Sequence, residues 1–293
     1  MKTILLSGLL SVILLTGCKD MPVPDLSSLS IGNIDIAKGL NFGKSVYNAS
    51  KEITPEQEYY IGRSVSVSIL EKYKVYDNKK ITNYVNSIGK LLTMHSPTPE
   101  VFGGYHFVIL ESDEINAFAA PGGFIFITKS LLQLCTNEDE LASVLAHEIA
   151  HVQLKHGVKS IKDSRWTSVA TMLGKEVASQ HIDGDLLKLT NYFNKSIDDV
   201  VNTLVVNGYS KSYEHEADNY AQNILTQTGY ANTALVSMLN KMDTKLESDT
   251  RGFGSTHPKA SQRVDYINGL NTPHSNQIAT VRTKRFIHYI KNV

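Results

Sequence analysis

Apolar and polar positions change rhythm several times along this chain, and each change marks an element. Ile81, Tyr84, Val85, Ile88 and Leu92 recur at helical spacing, which predicts a helix with one buried face. Upstream, "TPEQEYYIGRSVSVSILEKY" places Thr54 as an N-cap, Pro55 in the first turn and Gln57 where a capping box closes, so a helix is predicted there as well. "YHFVIL" (105–110) and "FIFIT" (124–128) are short and dense in β-branched and aromatic residues, which predicts strands. "ESDEINAFAAPGG" lies between them, and its Pro121-Gly122-Gly123 supplies a turn. Asn137 followed by Glu140 signals the start of a helix running through "VLAHEIAHVQLKH". Residues 157–207 are more polar and read as helix and loop, with a potential to gate a cleft. Two more helices, about 211–228 and 231–247, are separated by Gly229 as a C-terminal cap. The tail "IATVRTKRFIHYIKNV" mixes basic and apolar residues and reads as a segment docked on the rest. The expected fold class is α+β, mainly helical, with a small sheet beside the histidine-bearing helix.

The first twenty residues change the picture. "MKTILLSGLLSVILLTGCKD" joins Lys2 to an apolar run from Ile4 to Leu15 and then to small residues, the pattern of a secretion signal over 1–17. Leu15-Thr16-Gly17-Cys18 looks like a bacterial lipobox, which implies cleavage before Cys18 and lipid on its thiol. Residues 18–50 then form a tether, 51–270 one catalytic domain and 271–293 the tail. Lys19, rather than aspartate, follows the cysteine, as in lipoproteins sent to an outer membrane and facing the periplasm. Acidic and basic residues balance at 29 each without a long run of one sign, which argues against a nucleic-acid partner. With Cys18 lipidated, Cys135 among its leucines is a lone buried thiol and no internal disulfide forms.

The chemistry sits in "VLAHEIAHVQLKH". At about 100° per residue, His147 and His151 project about 40° apart on a helix, and Glu148 falls about 60° from His151. Two neutral imidazoles one turn apart can chelate one zinc ion, and a glutamate between them can accept a proton from a polarised water. A catalytic zinc site needs a third protein ligand. "SKSYEHEADNYA" offers Glu214, His215, Glu216 and Asp218; Glu214 and Asp218 share a helix face, while His215 and Glu216 point elsewhere. Glu214 is therefore assigned to the metal and Asp218 to the far nitrogen of a ligand histidine. His156, five residues past His151, projects away from the metal wedge and reads as structural. His95, His106, His181, His274 and His288 carry no signal.

"NAFAAPGGFIFITKSLL", "NEDELASVLAHEIAHV", "YEHEADNYA" and "STHPKASQR" together resemble the gluzincin zinc metallopeptidase family that includes the CAAX prenyl protease, HtpX and the periplasmic β-barrel assembly-enhancing protease. The resemblance covers roughly residues 50–270 and is closest to compact periplasmic lipoproteins. It implies one Zn²⁺ per chain and an endopeptidase acting on unfolded or mislocalised envelope proteins, with an assembly-machinery partner left open. It places His257 and Arg263 on the family's catalytic histidine and arginine, where they would stabilise an oxyanion; in the β-barrel assembly protease the matching histidine can instead bind zinc and close the site. An extended substrate is expected to pair with the edge of the strand holding Phe124, Ile125 and Phe126, beside Asn116 and Ala117.

Overall fold

A computed structural model of the chain describes residues 30–31, 34–35, 54–160, 195, 197–246, 257, 259–270, 277–291 and 293. The signal segment, Cys18, His181 and His274 lie outside them. Two compact units are formed, Met1–Ser50 and Lys51–Val293. Within the first, Ser30–Ile31 pairs antiparallel with Ile34–Asp35. Among the described residues no helix is long and apolar enough to cross a membrane.

The second unit is mostly helical with one four-stranded sheet, the α+β class expected from the sequence. In chain order it holds α1 (Pro55–Lys72), β1 (Lys74–Val75), α2 (Lys79–Met94), β2 (His106–Glu111), β3 (Ala117–Ala120), β4 (Phe124–Thr128), α3 (Lys129–Leu134) and α4 (Glu138–Gln153). After the helical stretch 197–202 and a π-helical turn, Thr203–Asn207, come α5 (Lys211–Thr228), α6 (Thr233–Leu246), α7 (Ala260–Asn268) and α8 (Thr280–Ile290). The five apolar positions of the α2 stripe are all buried. Gly229 ends α5 in the left-handed conformation, with φ 72°, as the spacing anticipated. The Asn137 side chain accepts from the Glu140 N–H, while the Glu140 carboxylate turns instead to the Thr136 N–H.

The strand order is β1-β2-β4-β3, with β2 and β4 parallel and the outer pairs antiparallel. This corrects the expected substrate strand. β4 is hydrogen-bonded on both sides, so Phe124, Ile125 and Phe126 have no free edge to offer, and the edge belongs to Ala117–Ala120. "AFAA" is a weak strand former by composition, but all four of its residues are buried, Ala117 and Ala119 in one core layer and Phe118 and Ala120 in the other. Alternate residues divide the core: Ile125 and Ile127 face α2 and α4, whereas Phe126 faces Ile61, Val65 and Ile69 of α1 and Val200 and Leu204. Gly62 of α1 lies so near the Pro121 carbonyl that a Cβ would come within 1.8 Å of it, which seats α1 on the turn before β4.

α4 is buried over Glu138–Val152, including its acidic first turn. Glu138 accepts from Arg285, Tyr84 and Tyr230; Asp139 is gripped by both nitrogens of an Arg282 fork at 2.7 and 3.0 Å; Glu140 meets Lys241 at 2.6 Å. Three buried carboxylates at a helix N-terminus complement its dipole, and each is satisfied by a cation from α6 or α8. The C-terminal helix is thus docked on α4 through Arg282, Arg285 and buried Phe286. Burial pushes the Glu138 and Glu140 pKa values up, but the partners outweigh it and hold both below the ordinary 4.5. With folded-state values depressed, their stabilisation is complete above the ordinary glutamate range and is lost as pH falls through it. Arg285→Met should therefore be less stable than the parent at pH 7 in urea unfolding, with the gap narrowing below about pH 4.5. A gap independent of pH would show that the pair contributes packing alone.

Candidate active site

His147 and His151 stand one turn apart on α4, and Glu214 faces them from α5. Their Nε2 atoms are 3.0 Å apart, and each lies 3.4 Å from a Glu214 carboxylate oxygen. Helices α4 and α5 approach closely because Ala146, Ala150, Ala217 and Ala221, all buried, keep side chains short along both. His257 completes the cluster: its Nδ1 is 2.7 Å from Glu214 Oε2, and one ligand atom from each of the four residues lies within 4.8 Å of the others.

The outer partners hold this arrangement. His147 Nδ1 lies 3.0 Å from Asp218 Oδ1, the contact expected from the one-turn spacing of Glu214 and Asp218. Arg263 has a structural role that its spacing in the sequence did not show. It is fully buried, donates to Asp218 through Nε at 2.9 Å and Nη2 at 2.6 Å, and places Nη1 3.3 Å from Glu214. The guanidinium thus stands beside the two α5 carboxylates, as the counter-charge that lets both be buried one turn apart. The direction expected for His156 is corrected, while it stays outside the four converging ligand residues. α4 ends at Gln153, Lys155 adopts φ 57°, and the chain turns back to bring His156 Nδ1 within 2.9 Å of His151 Nδ1. Projection along an unbroken helix had sent it away. Tyr209, which no sequence motif marked, stacks on His151 with centroids 4.4 Å apart.

Glu148 lies beside the cluster, 1% exposed, and burial pushes its carboxyl up to about 7. Burial also raises the Glu214 carboxyl, but His257, Arg263 and the two α4 histidines overcome it and hold the group well below the usual range. Asp218 is likewise lowered, with Arg263 outweighing burial. The imidazole of His151 is driven down to about 4 by burial, so it stays neutral and able to donate a lone pair. Glu148 Oε1 has no hydrogen-bond partner among the described residues, and Glu214 Oε1 has only the 3.4 Å approach of His151 Nε2. Two ring nitrogens and a carboxylate converging near 3 Å, with an orphaned oxygen beside them, suit a small divalent cation; nitrogen and oxygen ligands on tetrahedral zinc sit about 3.3 Å apart. The donor set fits zinc.

Residues 78–271 match the model of peptidase family M48. The chain belongs to this metallopeptidase family. Among its family relatives, the β-barrel assembly-enhancing protease of Escherichia coli K12 is 25% identical over 223 residues, covering 74% of this chain and 44% of that protein. The mitochondrial metalloendopeptidase OMA1 of Schizosaccharomyces pombe is 28% identical over 188 residues, 64% of this chain and 52% of that one. The metalloprotease LoiP of Escherichia coli K12 is 24% identical over 189 residues, 64% of this chain and 68% of that one. The chain therefore spans less than half the length of the first of these. The M48 match takes in His147 and His151 of α4, Glu214 of α5 and His257 ahead of α7, and so the whole cluster.

Over it lies a cover. Thr203, Leu204, Gly208 and Tyr209 face Glu148, His257 and the edge strand β3 across a cavity of about 10 Å³, the room of about one water. The Tyr209 hydroxyl donates to the Ala119 carbonyl at 3.4 Å, capping an edge group. Asn116 is 1% exposed, and its Oδ1 accepts from the Ala117 N–H, so its side chain shapes the start of β3.

Proposed function

We propose that the chain is a zinc-dependent endopeptidase, anchored through lipid on Cys18 at the outer membrane of a bacterial envelope and facing the periplasm. Its substrates are misfolded or mislocalised envelope proteins. The observation that carries the hydrolytic reading is the convergence of His147, His151 and Glu214 with Glu148 at their side. The anchoring rests on the lipobox pattern, and the substrate class on the kind of relative the chain resembles.

His147, His151 and Glu214 would hold the zinc, which would supply Lewis acidity to a water and the scissile carbonyl. Glu148, raised to about 7 by burial, takes the proton of the attacking water and delivers it to the leaving amine. Asp218 fixes the His147 ring, and Arg263 fixes Asp218. The β3 edge, from Ala117 to Ala120, offers main-chain groups to an extended peptide once the cover formed by residues 203–209 moves, a sequence-tolerant mode that suits unfolded chains. Asn116 orders the entry to that edge. The experiment is metal removal from the purified chain 19–293: casein cleavage should vanish with a chelator and return with about one equivalent of zinc. Cleavage indifferent to the chelator would end the reading.

A second reading is a zinc-bearing chaperone or assembly factor whose protease is normally closed. It is favoured by His257, which meets Glu214 at 2.7 Å where substrate would approach. If His257 closes the site as a fourth ligand, His257→Ala should raise casein cleavage several-fold; if it stabilises the oxyanion, the same change should lower kcat by about 10²- to 10³-fold. Kinetics of this one variant separate the two.

A further inference from the structure

We infer that His156 and Glu216 form a positioning relay that holds the ligand histidine His151, an assignment that rests on the zinc reading above. The two α4 histidines differ in how they are supported from behind. His147 reaches a carboxylate directly, Asp218 at 3.0 Å. Behind His151 stands a second imidazole: His156 Nδ1 is 2.9 Å from His151 Nδ1, and His156 Nε2 is 3.3 Å from Glu216 Oε2.

The proton positions follow from the geometry. His151 turns Nε2 toward Glu214 and His147, so a neutral His151 that binds metal through Nε2 carries its proton on Nδ1. That N–H donates to His156 Nδ1, which must then be the acceptor. His156 consequently carries its own proton on Nε2 and donates it to Glu216. Every link has one donor and one acceptor, and the relay ends on a carboxylate, as at His147.

The relay is built rather than fortuitous. His156 is fully buried, and Tyr213 stacks flat on its ring, with centroids 4.4 Å apart and planes at 7°. The left-handed Lys155, φ 57°, is what returns the chain under His151. Glu216 is half exposed, with Lys159 3.9 Å from the same oxygen, so a charged acceptor is kept at the surface end without burying a carboxylate. Outer partners of this kind typically alter metal affinity 10- to 100-fold.

The test measures zinc affinity of the full chain by chelator competition, beside thermal unfolding of the zinc-free form. His156→Phe keeps the ring and its stack but removes the acceptor; zinc affinity should fall about 10- to 100-fold. His156→Asn restores an acceptor at the Nδ1 position and should recover most of it. Glu216→Gln, at the half-exposed end, should cost affinity a few-fold with unfolding unchanged, and it decides the matter if the Phe variant does not fold. Zinc affinity equal to the parent's in Glu216→Gln and, where it folds, in His156→Phe would reduce His156 to a packing residue and overturn the relay. A parent that binds no zinc would instead overturn the zinc reading itself.

Discussion

Glu148→Gln should lower casein kcat/KM by about 10²- to 10⁴-fold while leaving zinc content unchanged. The substitution preserves volume, and the buried Glu148 side chain is not one of the four residues whose ligand atoms converge. What it removes is proton acceptance. The carboxyl is raised to about 7 by burial, with the neighbouring Glu214 charge adding to the rise and His147 and Arg263 opposing it, so its basicity is matched to a neutral-pH reaction. An amide cannot take the proton of the attacking water or return it to the amine. Metal analysis and single-substrate kinetics on the same preparations check the claim. Cleavage within about tenfold of the parent would assign the base elsewhere.

Arg263→Met should destabilise the zinc-free chain by about 3–5 kcal/mol, because it leaves two buried carboxylates without their counter-charge. Asp218 and Glu214 are both fully buried, and Arg263 is the arginine that touches both, as the His147 ring also does. A loss of that size lowers Tm by roughly 10 °C in a domain of this length. Asp218→Asn in the same chain should recover part of the loss, since the uncompensated charge disappears; the two changes are then non-additive. Zinc should narrow the difference by binding the folded form alone and by pairing with Glu214. Calorimetry of the parent, both single variants and the double variant tests this. Additive losses would mean that Arg263 acts through packing rather than charge.

Local periodicity was enough to read most of the candidate metal cluster of this protein. His147, Glu148 and His151 share a wedge because an α-helix turns 100° per residue, and Glu214 and Asp218 share a face for the same reason. The caps at Asn137 and Gly229 and the buried stripe of α2 follow equally local rules. Whether the sheet gives an edge to Phe124–Ile127 or to Ala117–Ala120 depends on which strand lies outside, and strand order is set by packing between layers that no short window contains. Arg263 is drawn onto Asp218 and Glu214 because two buried carboxylates from another helix need its charge. His156 returns to His151 because the helix stops and Lys155 bends left-handed, whereas a sequence pattern continues the helix as though it were unbroken. The arginine and lysine partners of Glu138, Asp139 and Glu140 come from about 100 to 147 residues away along the chain. Periodicity along one element thus determined which chemical groups share a face, and the tertiary structure decided what stands opposite them, since burial and charge pairing act across space.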